Sequence, residues 1–422
     1  MLAKLKSNFS GEKSAVLRLP DFRKFLAFRF FMTMATMMQS VIVGWHLYQL
    51  TGSILALGMI GLVEVIPQVS IALFAGHYVD ILNKRKIIMY TTNLLMFGSA
   101  ILFLYSIPAL NGFEIFGTFP IYFTFFITGI ARGILMPAHT AMLGQLVPRK
   151  HLANAAIWNS ANWHVAAVAG PAAGGLIYGF FGINAAYLTI FLSYLVSFLL
   201  VWRMKIPDVE IIKKHGNIFA NIREGISFVF GNELLLGAFT LDMFAVLFGG
   251  AVAILPAFAL NILHVGPQGL GFLRACPALG AILMSFILAS RPPVNRTGRV
   301  LFIGVAGFGL CIIGFALSKV FWLAAIFLFL SGIFDNISVV IRQTILQLFT
   351  PEVMKGRVAS VNSIFVGSSN ELGGFESGVA ARFMGLVPSV VFGGAMTLVL
   401  MGIIGWRMPY LRRLSLKKEL ME

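Results

Sequence analysis

Four acidic side chains, Asp242, Asp335, Glu371 and Glu376, lie inside long apolar runs and are the groups best placed to do chemistry. An unpaired ion at such a place is costly, and taking up a proton removes its charge. A carboxyl of this kind can bind a proton from one side of a barrier and release it on the other. Asp242 and Asp335 lead this set, Glu371 and Glu376 come next, and Glu64 is either a further partner or a group near the outer interface. The interior polar residues Arg29, His46, Arg132, His139, Asn159, Asn336, Arg342 and Asn362 are candidates to line a hydrated cavity and hold a ligand. Histidine titrates near neutral pH, although each of His46, His139 and His164 taken alone reads more readily as a hydrogen-bonded structural group. Trp45, Tyr48, Trp158 and Trp163 could stack on a ligand, but interfacial anchoring explains most membrane Trp and Tyr. No nucleophile and base, and no metal-binding group, recur at one depth, so an enzyme is disfavoured and no cofactor is expected. A Gly-x4-Gly-Lys-Ser/Thr phosphate loop is absent, which argues against an ATP-driven pump.

The elements that position these groups follow from composition. The 422 residues are 58% hydrophobic and 11% charged, with a mean hydropathy of +0.88. Soluble domains carry about 25% charged residues, so most of this surface faces lipid. The net charge of +16 does not indicate nucleic acid, because the basic residues fall in short clusters between apolar runs. Cys276 and Cys311 lie within apolar stretches, against a disulfide framework or a zinc site. The first twenty residues lack the apolar core of a signal peptide.

A bilayer core of about 30 Å needs roughly 20 apolar residues per helix. Such runs fall near 25–50, 54–79, 86–107, 117–147, 152–181, 184–202, 234–261, 269–290, 299–317, 320–349, 358–383 and 386–406. The expected fold is an all-α membrane protein of twelve transmembrane helices. A β-barrel would alternate polar and apolar residues, and these runs are apolar all round. With twelve spans, 26 of the 32 basic residues fall on one side, whereas Lys319 and Arg382 fall on the other. The positive-inside rule then makes both termini cytoplasmic.

The expected organisation is an N-terminal six-helix half (1–202), a cytoplasmic linker (203–233) and a C-terminal six-helix half (234–422). Within the linker, IFANIREGISFVF reads as an amphipathic helix on the membrane surface. The halves repeat at an offset of 203: Gly129-Ile130 matches Gly332-Ile333, Pro148 matches Pro351, Asn159-Ser160 matches Asn362-Ser363, and Gly170 matches Gly373. Such duplicated halves usually place a substrate site at their interface near the midplane. Spans three, six, nine and twelve carry no charge in their cores and should face lipid, leaving one, four, seven and ten to line the centre. Arg132 and Asp335 share one register, so they are expected to face each other across it.

Gly76, Asp80, Lys84 and Arg85, in the run Gly76 to Lys86, resemble the hallmark loop motif of the major facilitator superfamily, with His77, Ile81 and Asn83 departing from the usual pattern. Gly170-Pro171-Ala172-Ala173-Gly174-Gly175 is similar to the span-five motif of drug:proton antiporters in that superfamily. Thr350 to Ser363 resembles the enterobactin-exporter-like and macrolide-efflux-like branch. The resemblance extends to the whole chain through its topology. It implies a latch at Gly76, Asp80, Lys84 and Arg85, a gating helix at Gly170, Pro171, Gly174 and Gly175, and a major facilitator fold. It further implies proton-coupled export of an amphipathic small molecule, a drug or siderophore-like compound, from a bacterial inner membrane by a chain working as a monomer. Import or lysophospholipid flipping on the same fold is the alternative, and the span-five motif argues against import.

Overall fold

The structure is a computed structural model that describes residues 16–148, 151–205, 218–290, 293, 295–351 and 354–416. Among these residues the regular secondary structure is helical throughout. Ten helices are long and apolar enough to cross a membrane, and two physical features bring that number to the expected twelve. The run Leu152–Trp202 contains two spans, because Gly182 at φ 82° and ψ 179° breaks it into 152–181 and 183–202. Only glycine enters that region of backbone space without strain. Lys355–Met384 has the length of a span but is made polar by Glu371, Glu376 and five serines. Polarity in a membrane helix is sustained when neighbouring helices satisfy it.

The observed spans are one, Pro20–Thr51; two, Ile54–Ile81; three, Lys84–Ser106; four, Phe119–Leu146; five and six as above; seven, Glu233–Phe248 continued by Leu255–Asn261; eight, Pro267–Ser290; nine, Thr297–Leu317; ten, Phe321–Phe349; eleven, Lys355–Met384; and twelve, Leu386–Arg407. Span seven is interrupted by a 3-10 turn at Gly250–Val252 and resumes with Pro256 in its first turn, where the missing N–H leaves no donor unsatisfied. The linker helix forms at Ile218–Gly231, while residues 206–217 lie outside the described set.

The chain divides into two compact units, Met1–Ile42 with Ile66–His215, and Val43–Val65 with Gly216–Glu422. The hairpin 43–65, made from the ends of spans one and two, therefore belongs with the second unit. Tyr48 Oη accepts from Asn261 Nδ2 at 2.5 Å. A Cβ on Gly58 would lie 3.0 Å from Gly378 Cα, so these two backbones touch.

Within the first unit, span three packs along span four and the run 152–202; within the second, span nine packs along ten and twelve. The repeat is visible in close helix approaches. A Cβ at Gly170 would stand 2.8 Å from Met34 O of span one, and one at Gly373 would stand 2.7 Å from Leu247 O of span seven. Small residues allow this backbone contact in a membrane helix pair. Trp202, Trp322 and Trp406 stand exposed at span ends, as interfacial anchors do.

Two polar clusters as the candidate site

Each unit carries one cluster of interior polar side chains, built from corresponding helices. In the second unit, span seven supplies Asp242, span ten Arg342 and span eleven Asn362. Arg342 Nη1 lies 2.8 Å from Asp242 Oδ2 and donates to Asn362 Oδ1 at 3.2 Å. Asp242 and Arg342 are 3% and 4% exposed, so the pair is withdrawn from solvent. Ser338 hydrogen-bonds the Asp242 carboxylate. Asp335 precedes Ser338 by three residues and Arg342 by seven, which puts all three on one face of span ten. Its carboxyl is close enough to interact electrostatically with Asp242 and Arg342.

In the first unit, span one supplies Arg29, span four His139 and span five Asn159. Arg29 Nη1 contacts His139 Nδ1 at 2.5 Å, and Arg29 Nε donates to Asn159 Oδ1 at 3.4 Å. His139 is 6% exposed, and Arg29 is partly exposed. Because a guanidinium only donates, Nδ1 of His139 accepts and its ring proton sits on Nε2. That Nε2 is buried without a partner. Arg132 is two turns before His139 on the same face of span four.

The offset of 203 maps His139 onto Arg342 and Asn159 onto Asn362. The clusters are thus the same place in two copies of one six-helix plan, with Arg29 and Asp242 of opposite charge on the corresponding spans one and seven. The sequence pattern already contained the His139–Arg342 match. It escaped notice because a histidine and an arginine do not look alike. Ser338, which supports Asp242, carried no signal beyond its spacing from Asp335.

The remaining candidates are placed elsewhere. Asn336 accepts from Ser285 Oγ of span eight at 3.2 Å. Glu371 of span eleven and Arg274 of span eight interact electrostatically, and the Glu371 carbonyl lies against Gly61. Glu376 is approached by Ser377 Oγ at 3.5 Å. His46 sits partly buried in the hairpin 43–65, which also holds the buried Glu64. Gly170 and Gly174 lay span five on span one at Met34, Met37 and Met38. Pro171 and Gly175 are buried beside them. In the loop motif, the side chains of Gly76 and Asp80 lie outside the described set. Arg85 donates to Val201 O at 3.3 Å and to Trp202 O, and Lys24 Nζ donates to Arg203 O at 3.1 Å. These cations satisfy the last carbonyls of span six, where the helix dipole favours positive charge. Lys84 opens span three, whose N-cap Asn83 accepts from Lys86 N. Among the described residues no group of acids, histidines and cysteines could hold a metal.

Twelve spans in two repeated six-helix sets, with paired interior clusters, define a multi-pass membrane protein of the major facilitator fold. The family of transmembrane secretion effectors, MFS_3, matches residues 12–418, and the chain belongs to that family of major facilitator transporters. It is 28% identical over 157 residues to the uncharacterized MFS-type transporter YkuC of Bacillus subtilis (strain 168), a match spanning 34% of this chain and 36% of that protein. Among solved structures it is similar to a POT family transporter in complex with 5-aminolevulinic acid (TM-score 0.71, 13% identity, 92% of this chain and 96% of that one). It is similar also to a D-xylose-proton symporter (TM-score 0.71, 10% identity, 93% and 98%). A third likeness is to a bacterial homolog of the human lysosomal transporter Spinster, inward-facing and unoccupied (TM-score 0.69, 15% identity, 95% and 98%). At these identities the structural likeness speaks for the fold alone.

Proposed function

We propose that the protein is a proton-coupled exporter of an amphipathic small molecule, working by alternating access in a bacterial inner membrane with both termini cytoplasmic. The observation that carries this reading is the group of two carboxyls, Asp242 and Asp335, around one buried guanidinium, Arg342. With both acids ionised the group holds an excess negative charge in an apolar surrounding; with one protonated it is neutral. Uncompensated interior charge is costly, so a proton is the natural counter-charge, and its arrival or departure changes which helix arrangement is favoured. Each charge moved across the membrane is worth about 2.3 kcal/mol per 100 mV. The span-five motif supports the export direction and the drug:proton antiporter branch. Gly76, Asp80, Lys84 and Arg85 are the proposed latch, and the functional unit is a monomer.

The test is transport in everted membrane vesicles with and without an imposed pH gradient. The reading requires concentrative uptake of cargo into everted vesicles only when their interior is acidic. Uptake indifferent to the gradient, or driven in the reverse direction, contradicts it.

A further inference from the structure

We propose that Arg29, held by His139 and Asn159, is an oxyanion-binding subsite that receives the carboxylate or phosphate head of an amphiphile. This deepens the exporter reading by naming the charge of the cargo, and it rests on that reading for the identification of the ligand as cargo.

The argument begins with charge. Between Pro20 and Ile42 and between Ile66 and Lys205, the first unit has three acids, Asp21, Asp80 and Glu114. Asp21 and Asp80 sit at span ends, and Glu114 is in the connection between spans three and four. Interior to its spans are Arg29 and Arg132, and the side chains that Arg29 meets are neutral. The second unit is the opposite: Glu64, Asp242, Asp335, Glu371 and Glu376 lie within its spans against Arg274 and Arg342. In that unit the buried arginine of the cluster has its carboxylate. In the corresponding place in the first unit, Arg29 meets a histidine and an asparagine, neither of which brings negative charge.

The donor arrangement then says what is missing. A guanidinium has five N–H donors in a plane. Asn159 takes Nε, and His139 takes one hydrogen of Nη1. Among the described residues nothing bonds Nη2. Nη2 keeps its N–H groups to donate to an oxyanion, the kind of group that arginine recognises in carboxylate and phosphate. Arg29 is partly exposed, so a ligand can reach it. His139 holds Arg29 through Nδ1, and its Nε2–H, on the other side of the ring, is buried without an acceptor.

The test is equilibrium binding to the full chain in phosphatidylcholine nanodiscs without a proton gradient, followed by quenching of tryptophan fluorescence. The probes are 4-phenylbutyrate, 4-phenylbutyl phosphate and 4-phenylbutan-1-ol, which share an apolar body and differ in the head. The expected result is that both anions bind more tightly than the alcohol, and that Arg29→Gln erases the preference by roughly tenfold or more. Arg29→Lys keeps the charge but not the fork, so it retains part of the preference, and its melting temperature verifies the fold if the glutamine variant fails to express. In phosphatidylglycerol nanodiscs, weaker binding identifies a resident lipid head as a competing occupant, and unchanged binding assigns the subsite to cargo alone. Equal binding of anions and alcohol, no binding of either anion, or an undiminished preference in Arg29→Gln overturns the assignment. Because no gradient is present, that failure leaves proton coupling untouched, and failure of coupling in vesicles leaves anion binding untouched.

Discussion

The two matched polar clusters each contain an arginine, on span one in the first half and on span ten in the second, and the two live under opposite conditions. Arg342 is 4% exposed, paired with Asp242 at 2.8 Å and bonded to Asn362. Arg29 is partly exposed and bonded to His139 and Asn159 with no acid beside it. A six-helix plan copied once has thus kept the asparagine on the fifth helix of each half while exchanging the charges around it. One copy gathers two acids around an arginine, and the other sets an arginine among neutral partners. Shared backbone geometry leaves the chemistry of a place free to differ, because function resides in the side chains set upon the fold.

That contrast makes a prediction about stability, and it is the largest expected. Arg342→Gln strands Asp242 in an apolar interior and should destabilise the protein by about 3–5 kcal/mol. Arg29→Gln leaves only neutral partners behind and should cost about 1 kcal/mol. Thermal unfolding in detergent reads both, and the double variant Asp242→Asn with Arg342→Gln should regain most of the loss. Equal destabilisation by the two single changes would erase the distinction between the clusters.

A second prediction tests whether the two copies share their packing even where their chemistry differs. Gly170 on Met34 and Gly373 on Leu247 are matched helix contacts. Valine at either position must push two backbones apart, at about 1–3 kcal/mol each. Similar losses in melting temperature confirm the matched contact; a silent change at one of them breaks the correspondence. The smallest effect belongs to Arg357 and Glu224, an ion pair 30% and 54% exposed at the linker helix. Arg357→Ala should change stability by no more than about 1 kcal/mol, read in the same unfolding measurement.

The sequence made the fold legible because a membrane imposes long apolar runs and a one-sided distribution of basic residues. The division of the continuous helical run 152–202 into spans five and six was evident from its length, but not that Gly182 makes the break. The interruption of span seven at Gly250–Val252 was not, since an apolar stretch reads the same whether its helix is whole or broken. Nor was the membership of residues 43–65 in the second unit, because it depends on long-range contacts such as Gly58 with Gly378. Asp242, Arg342 and Asn362 stood out singly as interior polar residues, but register alone does not say which side chains meet. The arginine that the structure brings to the acids of span seven and span ten is Arg342, from span ten itself, a meeting that depth and register did not specify.

The central claim is a division of labour, with protons handled by the acid group of the second unit and cargo held by the arginine of the first. It is tested most directly by recording proton movement with a pH-sensitive dye inside proteoliposomes when cargo is added. Asp335→Asn leaves the Asp242–Arg342 pair in place and should abolish cargo-dependent proton movement while preserving counterflow of cargo. Arg29→Gln should abolish both. Undiminished proton movement in Asp335→Asn, or normal counterflow in Arg29→Gln, contradicts the account.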